Sequence, residues 1–330
     1  MFAKFLSIGA YTPKNVMDNK YFESIVETDD EWIYKRTGIK TRFKADDNQY
    51  TSDLGVEAAK VAIQRAGIDK KDIGMIICAT ISPDYLCMPS TACIISHKLG
   101  LKNIPAFDIS AACSGFIYAL SIAKAYVEAK VAKYVLIIGA EKLSSIVDYT
   151  DRSTCVLFGD GAGAAIIGTT TNEKEKIIDI NISADGEFQD FLITPGCGSK
   201  NPCSQKVLDE HLQFMKMKGN ETFKVAVKTL SNDVVELLSR NGISSDKIDH
   251  FIPHQANYRI IKAVGDTLNL HEKQIVLTVE KYGNTSSASI PMAINDIYES
   301  KRLKNGDLML LDAFGGGLTW GSSLVYFAGN

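Results

Sequence analysis

The sequence predicts an α/β protein built from two similar halves, on three observations. Ala66-Gly67-Ile68-Asp69-Lys70-Lys71-Asp72-Ile73-Gly74-Met75-Ile76-Ile77 lines up with Asn241-Gly242-Ile243-Ser244-Ser245-Asp246-Lys247-Ile248-Asp249-His250-Phe251-Ile252, which marks an internal duplication. Helix-period and strand-like segments then alternate in the same order after each copy. Strands such as Val135-Leu136-Ile137-Ile138-Gly139-Ala140 and Leu308-Met309-Leu310-Leu311-Asp312-Ala313 are apolar almost throughout rather than alternating, the pattern of a sheet covered by helices on both faces.

The first half opens its repeat with a helix over about Ser52 to Arg65, stopped by Gly67, because glycine alone takes the left-handed capping conformation without strain. An apolar strand follows. Next come a helix from about Ser90 to Leu99, a strand Ile104 to Ile109, a helix Ser114 to Lys130 and a strand Tyr134 to Gly139. The second half runs in parallel: helix Glu221 to Arg240, strand Phe251 to Pro253, helix Tyr258 to Leu268, strand Ile275 to Val279, helix Ser287 to Ser300 and strand Leu308 to Asp312. The joint falls in the polar stretch Thr169 to Lys176, too short for a flexible tether, which gives halves of 1–172 and 173–330. Gly196 to Gln205, with Gly, Pro, Ser and two Cys, reads as an irregular insertion placed to lie over a site.

The chain has 330 residues, is 45% hydrophobic and carries a formal net charge of -3. No global basic surplus exists to drive binding to nucleic acid or an anionic membrane. The N-terminal apolar stretch is too short for a signal peptide and no run reaches membrane-span length, so a cytoplasmic protein is expected. Seven cysteines with no CxxC pair argue against a disulfide framework and a zinc site. Cys78, Cys87 and Cys93, in or beside apolar runs, are expected to be small buried hydrophobes.

Cys113 sits where an apolar strand ends and, after small residues, a helix with Phe116, Leu120, Ala123 and Val127 on one face begins. A thiol there is stabilised as thiolate by the unpaired N–H groups of the helix start, and small neighbours admit substrate. The same stretch also fits a buried structural cysteine. His254 takes the matching strand-end position in the second half; it is either a proton-handling or hydrogen-bond-donating partner of the thiol or a simple helix cap. Asn284, in Gly283-Asn284-Thr285-Ser286, is by itself a turn or N-cap residue. In a duplicated α/β fold, strand ends of both halves can face one crevice, and all three residues lie at strand ends. Phe314-Gly315-Gly316-Gly317 adds a glycine turn able to bring a backbone N–H near the thiol. Gly159-Asp160-Gly161-Ala162-Gly163-Ala164 loosely fits a dinucleotide fingerprint but runs into the strand-like Ala164 to Gly168 instead of a helix, so no nucleotide is expected there.

These segments, with Thr28-Asp29-Asp30-Glu31-Trp32-Ile33, Arg36-Thr37-Gly38-Ile39, Ser110-Ala111-Ala112-Cys113-Ser114-Gly115-Phe116, Phe158-Gly159-Asp160-Gly161-Ala162-Gly163 and His254-Gln255-Ala256-Asn257, resemble β-ketoacyl-acyl-carrier-protein synthase III along essentially the whole chain. That family is thiolase-fold and starts bacterial type II fatty acid synthesis. The resemblance implies mixed sheets in a layered αβαβα core and a decarboxylative condensation of acetyl-CoA, or another short acyl-CoA, with malonyl-acyl carrier protein. It implies that Cys113 carries the acyl group, that the amides of Cys113 and Gly316 form the oxyanion hole, and that His254 and Asn284 donate to the enolate. Trp32, Arg36, Arg152 and Asn257 would hold the CoA or pantetheine arm, and Lys224, Arg259 and Lys262 would dock the acidic carrier protein. Lys262 also reads as part of an ordinary solvated face. Met88, where acetyl-preferring members commonly have Phe, and Phe314 would line the acyl pocket, Met88 across a homodimer. No metal or cofactor is implied; the thioesters are substrates. A condensing enzyme of a secondary pathway is the alternative reading. A Cys-His-Asn hydrolase is disfavoured by the duplicated plan, and a non-catalytic binding subunit by the retained nucleophile.

Overall fold

A computed structural model describes residues 1–329; Asn330, the end of the expected second half, lies outside the described residues. The larger sheet contains β1 (Phe2–Tyr11), β2 (Ile73–Ala79), β3 (Ala106–Ile109), β4 (Tyr134–Glu141) and β5 (Gly161–Thr170), in the order β1-β5-β4-β2-β3. The smaller contains β6 (Ile177–Ala184), β7 (His250–Pro253), β8 (Leu308–Gly315) and β9 (Thr319–Tyr326), in the order β7-β8-β9-β6. Both are mixed. β2 runs parallel to β3 and β4, and β7 to β8, while the remaining pairs are antiparallel. The two orders match strand for strand except that the smaller sheet lacks a counterpart of β3.

Three helical layers separate and cover the sheets. Helices α1 (Asp30–Thr37), α2 (Thr51–Ala66), α3 (Thr91–Lys98), α4 (Gly115–Glu128), α5 (Gly219–Arg240), α6 (Tyr258–Thr267) and α7 (Ser289–Glu299) carry the argument. α2 and α3 bury Leu54, Ala58, Ala62, Ala92 and Ile95 on the outer face of the larger sheet. α4 and α7 fill the space between the sheets with Phe116, Leu120, Ile290 and Ile294. α5 and α6 cover the smaller sheet with Leu230, Val234, Leu237 and Val264. The result is an αβαβα sandwich in which every sheet face is packed against helix, the reason the strands are apolar on both sides.

The repeat folds alike in both copies. α2 ends at Gly67 (φ 63°) and α5 one residue before Gly242 (φ 62°), and a single 3-10 turn, Lys70–Asp72 or Ser245–Lys247, leads into β2 or β7. One expected strand is not there. Ile275 to Val279 pairs with β7 only through Phe251 N–H to Gln274 O (2.7 Å) and Val276 N–H to Phe251 O (2.9 Å). The buried Gln255 side chain then takes over the segment's hydrogen bonds: its Oε1 accepts from Thr278 N (2.8 Å) and Val279 N (3.1 Å), and its Nε2 donates to Val276 O (3.0 Å). Backbone groups satisfied by a side chain have no need of a ladder, and Val279–Tyr282 turns into a short helix.

The glycine-rich Gly161-Ala162-Gly163-Ala164 lies inside β5. Its glycines serve packing, since a Cβ on Gly163 would stand 2.5 Å from Pro291 Cβ of α7. Two cysteines depart from expectation: Cys78 is buried, whereas Cys87 and Cys93 are exposed, one on the protruding loop before α3 and one on that helix's outer side. Among the described residues no helix is long and apolar enough to cross a membrane.

Candidate active site

Cys113 lies in a 3-10 turn, Ala112–Ser114, between β3 and α4. The turn is held tightly: the hydroxyls of Ser114 and Thr319 both reach the Ala111 carbonyl (2.7 and 2.9 Å) and stand 2.8 Å apart. Ala112 takes φ 45°, a left-handed conformation that costs a side-chain-bearing residue on the order of 1 kcal/mol. The glycine turn after β8 arrives from the other half, and a Cβ on Gly315 would stand 2.6 Å from Cys113 N. Only glycine permits that approach.

The thiol is not the stabilised thiolate that its place at a helix start suggests. Burial pushes Cys113 up to about 12, the Ser286 hydroxyl works against that rise, and the Glu141 carboxylate adds to it. A helix start is worth up to about 2 kcal/mol to an anion, whereas full burial can shift a thiol by several units at 1.36 kcal/mol each. Desolvation wins, and Cys113 rests as a thiol. Ser286 Oγ is close enough to act on the sulfur but makes no hydrogen bond of full geometry.

His254 follows β7, and its backbone N–H donates to Asp312 O on β8 (2.6 Å). The ring is buried, and burial alone drives its pKa down to about 3, so the imidazole is neutral. Its Nδ1 stands 2.6 Å from Ser289 Oγ at the start of α7, and that oxygen accepts from Gln255 N (3.4 Å). Among the described residues Nδ1 is the one acceptor within reach of the hydroxyl's proton, so that proton goes to Nδ1, which leaves the ring hydrogen on Nε2. Asn284 is fixed in a similar way. Its backbone pairs with Leu157 O (2.9 Å) and Gly159 N (3.0 Å), and its Oδ1 accepts from Ser286 N (2.9 Å). The network assigns Nδ2 as the free donor. Ser286 has φ 49°, a second strained residue beside the site.

The turn bearing Asn284 and Ser286 is pressed against the turn of Cys113 and the end of β4; a Cβ on Gly139 would stand 2.3 Å from Ser287 O. The turn of Cys113 therefore meets the turn that carries Asn284, and Ser289, at the start of the helix after that turn, holds the ring of His254: a neutral thiol and two side chains whose free nitrogens carry hydrogen. Such a set can accept an acyl group and stabilise a developing oxyanion.

The other predicted residues fall into three places. Trp32 on α1 lies between two guanidinium groups, Arg36 at 4.5 Å and Arg152 at 4.7 Å from the ring centroid. Arg152 also donates to Glu27 O (2.7 Å). Asn257 joins this group through Nδ2 to Arg36 O (3.0 Å), while its Oδ1 caps α6 by accepting from Arg259 N (2.8 Å). On the α5–α6 face, Arg259 stacks over Phe223 at 5.1 Å beside Lys224, and Lys224 lines a cavity of about 370 Å³ with Lys228, Phe188 and Trp320. Lys262 is tied to Asp266 (3.2 Å), which favours the solvated-face reading. Met88 is 81% exposed on the loop before α3. Phe314 corrects the expectation. Strand alternation sends Gly315 toward Cys113 and Phe314 to the opposite face, into the cavity under α5.

Sequence reasoning missed Ser289, Gln255, Glu141 and Ser287. The serines and Gln255 carry no signal that separates them from capping residues. Glu141 does: it is a carboxylate ending an otherwise apolar strand.

The family model for 3-oxoacyl-[acyl-carrier-protein] synthase III matches residues 107–186, and the model for that enzyme's C terminal matches 238–327. A β-ketoacyl-[acyl-carrier-protein] synthase III of Sulfurovum is 66% identical over 329 residues, covering 100% of this chain and 97% of its own. Among solved structures, the 3-oxoacyl-[acyl-carrier-protein] synthase III of Aquifex aeolicus superposes with a TM-score of 0.91 at 43% identity, over 98% of this chain and 100% of that one. The priming β-ketosynthase of the R1128 polyketide pathway superposes with a TM-score of 0.92 at 31% identity, over 99% of this chain and 96% of that one.

Proposed function

The chain belongs to the 3-oxoacyl-[acyl-carrier-protein] synthase III family, and from that premise we propose how its residues divide the work of the initiating condensing enzyme of fatty acid synthesis. It is an acyltransferase that joins a short acyl-CoA, acetyl-CoA first among them, to malonyl-acyl carrier protein. Cys113 sulfur attacks the acyl-CoA carbonyl, the amides of Cys113 and Gly316 receive the oxyanion, and CoA leaves as its thiol with the proton that Cys113 gives up. Malonyl-acyl carrier protein then loses carbon dioxide. The electron pair left behind is held as an enolate by two donors, Nε2–H of His254 and Nδ2–H of Asn284. Its carbon attacks the acyl-Cys113 carbonyl, the carbon–sulfur bond breaks, and Cys113 takes up a proton to return to its resting thiol.

The observation that carries this reading is the pair of fixed donors. A neutral imidazole whose Nδ1 is occupied and an amide whose Oδ1 is occupied both present hydrogen, and neither is set to remove a proton. Decarboxylation creates the carbanion without a base, so donors are what this reaction needs and a non-decarboxylating condensation would lack its base. The balanced steps require no redox group or metal, and the thioesters are substrates.

Trp32, Arg36 and Arg152 are assigned to the CoA nucleotide, the arginines pairing with phosphate while Trp32 exchanges a guanidinium for the adenine. Asn257 sets the depth of the arm. Lys224 and Arg259 form the carrier-protein dock, with Lys262 at its edge. The halves divide at 172/173, supported by the larger sheet's strands ending at Thr170 and the smaller's starting at Ile177. Met88, with Tyr85 and Leu86 exposed beside it, is assigned to the acyl pocket of a second copy in a cytoplasmic homodimer. The likeness to a polyketide priming ketosynthase keeps one second reading, a secondary pathway with another primer or acceptor.

Intact-protein mass spectrometry after incubation with a panel of acyl-CoA primers tests the reading. An acetyl adduct that disappears in Cys113→Ala is expected; acylation of the alanine variant overturns it. Labelling only by longer or branched acyl groups, or turnover of malonyl-CoA equal to that of malonyl-acyl carrier protein, selects the second reading.

A further inference from the structure

Glu141 ends β4 after an apolar run, is fully buried, and has no part in the steps above. Its Oε2 accepts from Thr80 Oγ1 (3.1 Å), Ile81 N (3.1 Å), Ser82 N (3.2 Å) and Ser82 Oγ (2.6 Å), and its Oε1 stands 2.9 Å from Ser287 Oγ. Ser287 Oγ also stands 2.8 Å from Ala79 O, the last residue of β2. The carboxylate therefore gathers three segments: the loop leaving β2, the turn that carries Asn284 to Ser287, and its own strand end. Every group bonded to it can donate, and the amides of Ile81 and Ser82 can only donate. Such a nest favours the ionised form, because a proton on Oε2 would face those amides. Burial raises its pKa and these hydrogen bonds oppose the rise.

The charged and titratable groups facing it are few. Cys113 in its turn and Cys78 on β2 are buried thiols whose ionisation Glu141 disfavours. Asp108 and Asp84 also disfavour ionisation of Cys78, but Asp84 is hydrogen-bonded to Ser52 and Asp108 to the first amides of α3. His254 is neutral. Lys142, next in sequence, spends its ammonium on the carbonyls of Asp46, Asp47 and Gln49. No cation is among the groups bonded to the carboxylate, so its charge is held by dipoles alone and is felt by the nearby thiols.

We propose that Glu141 is a positioning residue of the condensation: its carboxylate clamps the Ser286–Ala288 turn to the end of β2, holds Asn284 and Cys113 in register across the two halves, and sets a buried negative charge behind the nucleophile. The role rests on the functional reading above for its catalytic consequence, but not for its effect on the thiol. Glu141→Gln is nearly isosteric; its amide nitrogen can replace Oε1 and donate to Ser287 Oγ, whose own proton then goes to Ala79 O. That exchange removes the charge and keeps the contacts.

The test is alkylation of Cys113 by iodoacetamide across pH, followed by intact mass, alongside separate assays of acyl transfer from acyl-CoA and of malonyl decarboxylation. In Glu141→Gln the pH of half-maximal alkylation falls by about one unit, because a nearby like charge has gone. Glu141→Asp, which keeps the charge, leaves that pH near the wild-type value. Ser287→Ala, which keeps the charge and cuts the clamp, leaves it unchanged while slowing decarboxylation about tenfold and acyl transfer less than threefold, as one misplaced donor would. An unchanged alkylation profile in Glu141→Gln overturns the electrostatic part. Equal loss of both half-reactions in Ser287→Ala, with a lowered melting temperature, overturns the positioning part. Alkylation needs no acyl substrate, so a shifted profile in a protein that takes no acyl group would refute the functional reading and leave this one standing.

Discussion

Removing the hydroxyl of Ser289 should separate the two half-reactions. Among the described residues this hydroxyl is the one partner of Nδ1 of His254, at 2.6 Å, and it is buried at the start of α7. In Ser289→Ala the ring loses the donor that fixes its tautomer, and a ring with hydrogen on Nδ1 presents a lone pair to the thioester instead of a proton. A hydrogen bond of this kind is worth about 1 to 1.5 kcal/mol, and 1.4 kcal/mol is a factor of about ten in an equilibrium. Malonyl decarboxylation and condensation should therefore fall by about tenfold, while acyl transfer to Cys113, for which backbone amides are the proposed oxyanion donors, stays within about twofold. The assay is release of labelled carbon dioxide from malonyl-acyl carrier protein, run beside CoA release in the first half-reaction. In a His254→Ala background the Ser289 substitution should add nothing to the loss, since the group it orients is gone. Parallel loss in both half-reactions, or an additive effect in the double variant, refutes the tautomer argument.

His254 also predicts how stability depends on pH. Its folded pKa is depressed to about 3 against about 6.5 unfolded, so the unfolded chain binds a proton that the folded one refuses. Stability from this group is present above pH 6.5 and drains away as pH falls toward 3, by on the order of a few kcal/mol in total; denaturant midpoints should fall with pH less steeply in His254→Gln than in the wild type. Gly315→Ala places a Cβ 2.6 Å from Cys113 N and should lower the melting temperature and cut acyl transfer at least tenfold, at an overpacking cost of about 1 to 3 kcal/mol. Lys224→Glu with Arg259→Glu should raise KM for malonyl-acyl carrier protein about tenfold or more without altering acylation by acyl-CoA, and Lys262→Ala, already paired with Asp266, should change either by less than twofold. Arg152→Ala should raise KM for acyl-CoA but not for the carrier-protein substrate, since only CoA carries the nucleotide phosphates.

The long helices and apolar strands were legible because periodicity reports burial directly: α2 and α5 each present one face to a sheet, α4 packs between the two sheets, and β4 and β8 are covered on both sides. Ile275 to Val279 misled because an apolar run states that a segment is buried, not what satisfies its backbone, and the partner was the side chain of Gln255, 23 residues before Thr278 and just past the end of β7. Cys93 misled for the converse reason, since the apolar run around it places its neighbours, not Cys93 itself, on the inner side of α3.

The chain by itself determined the duplication, the α/β class, and the strand ends that bear Cys113 and His254, because all of these are written in local spacing and in residue types with few chemical uses; Asn284, expected at a third strand end, instead follows the short helix Val279–Tyr282. Tertiary structure alone decided the protonation of the thiol, the tautomer of His254 and the direction of the Asn284 amide. Each depends on groups far along the chain: Glu141 and Ser286 around Cys113, Ser289 on His254, and the depth of burial that makes a helix start too weak to ionise a thiol. A sequence names the side chains that can carry a proton; only the packing around them sets where the proton rests.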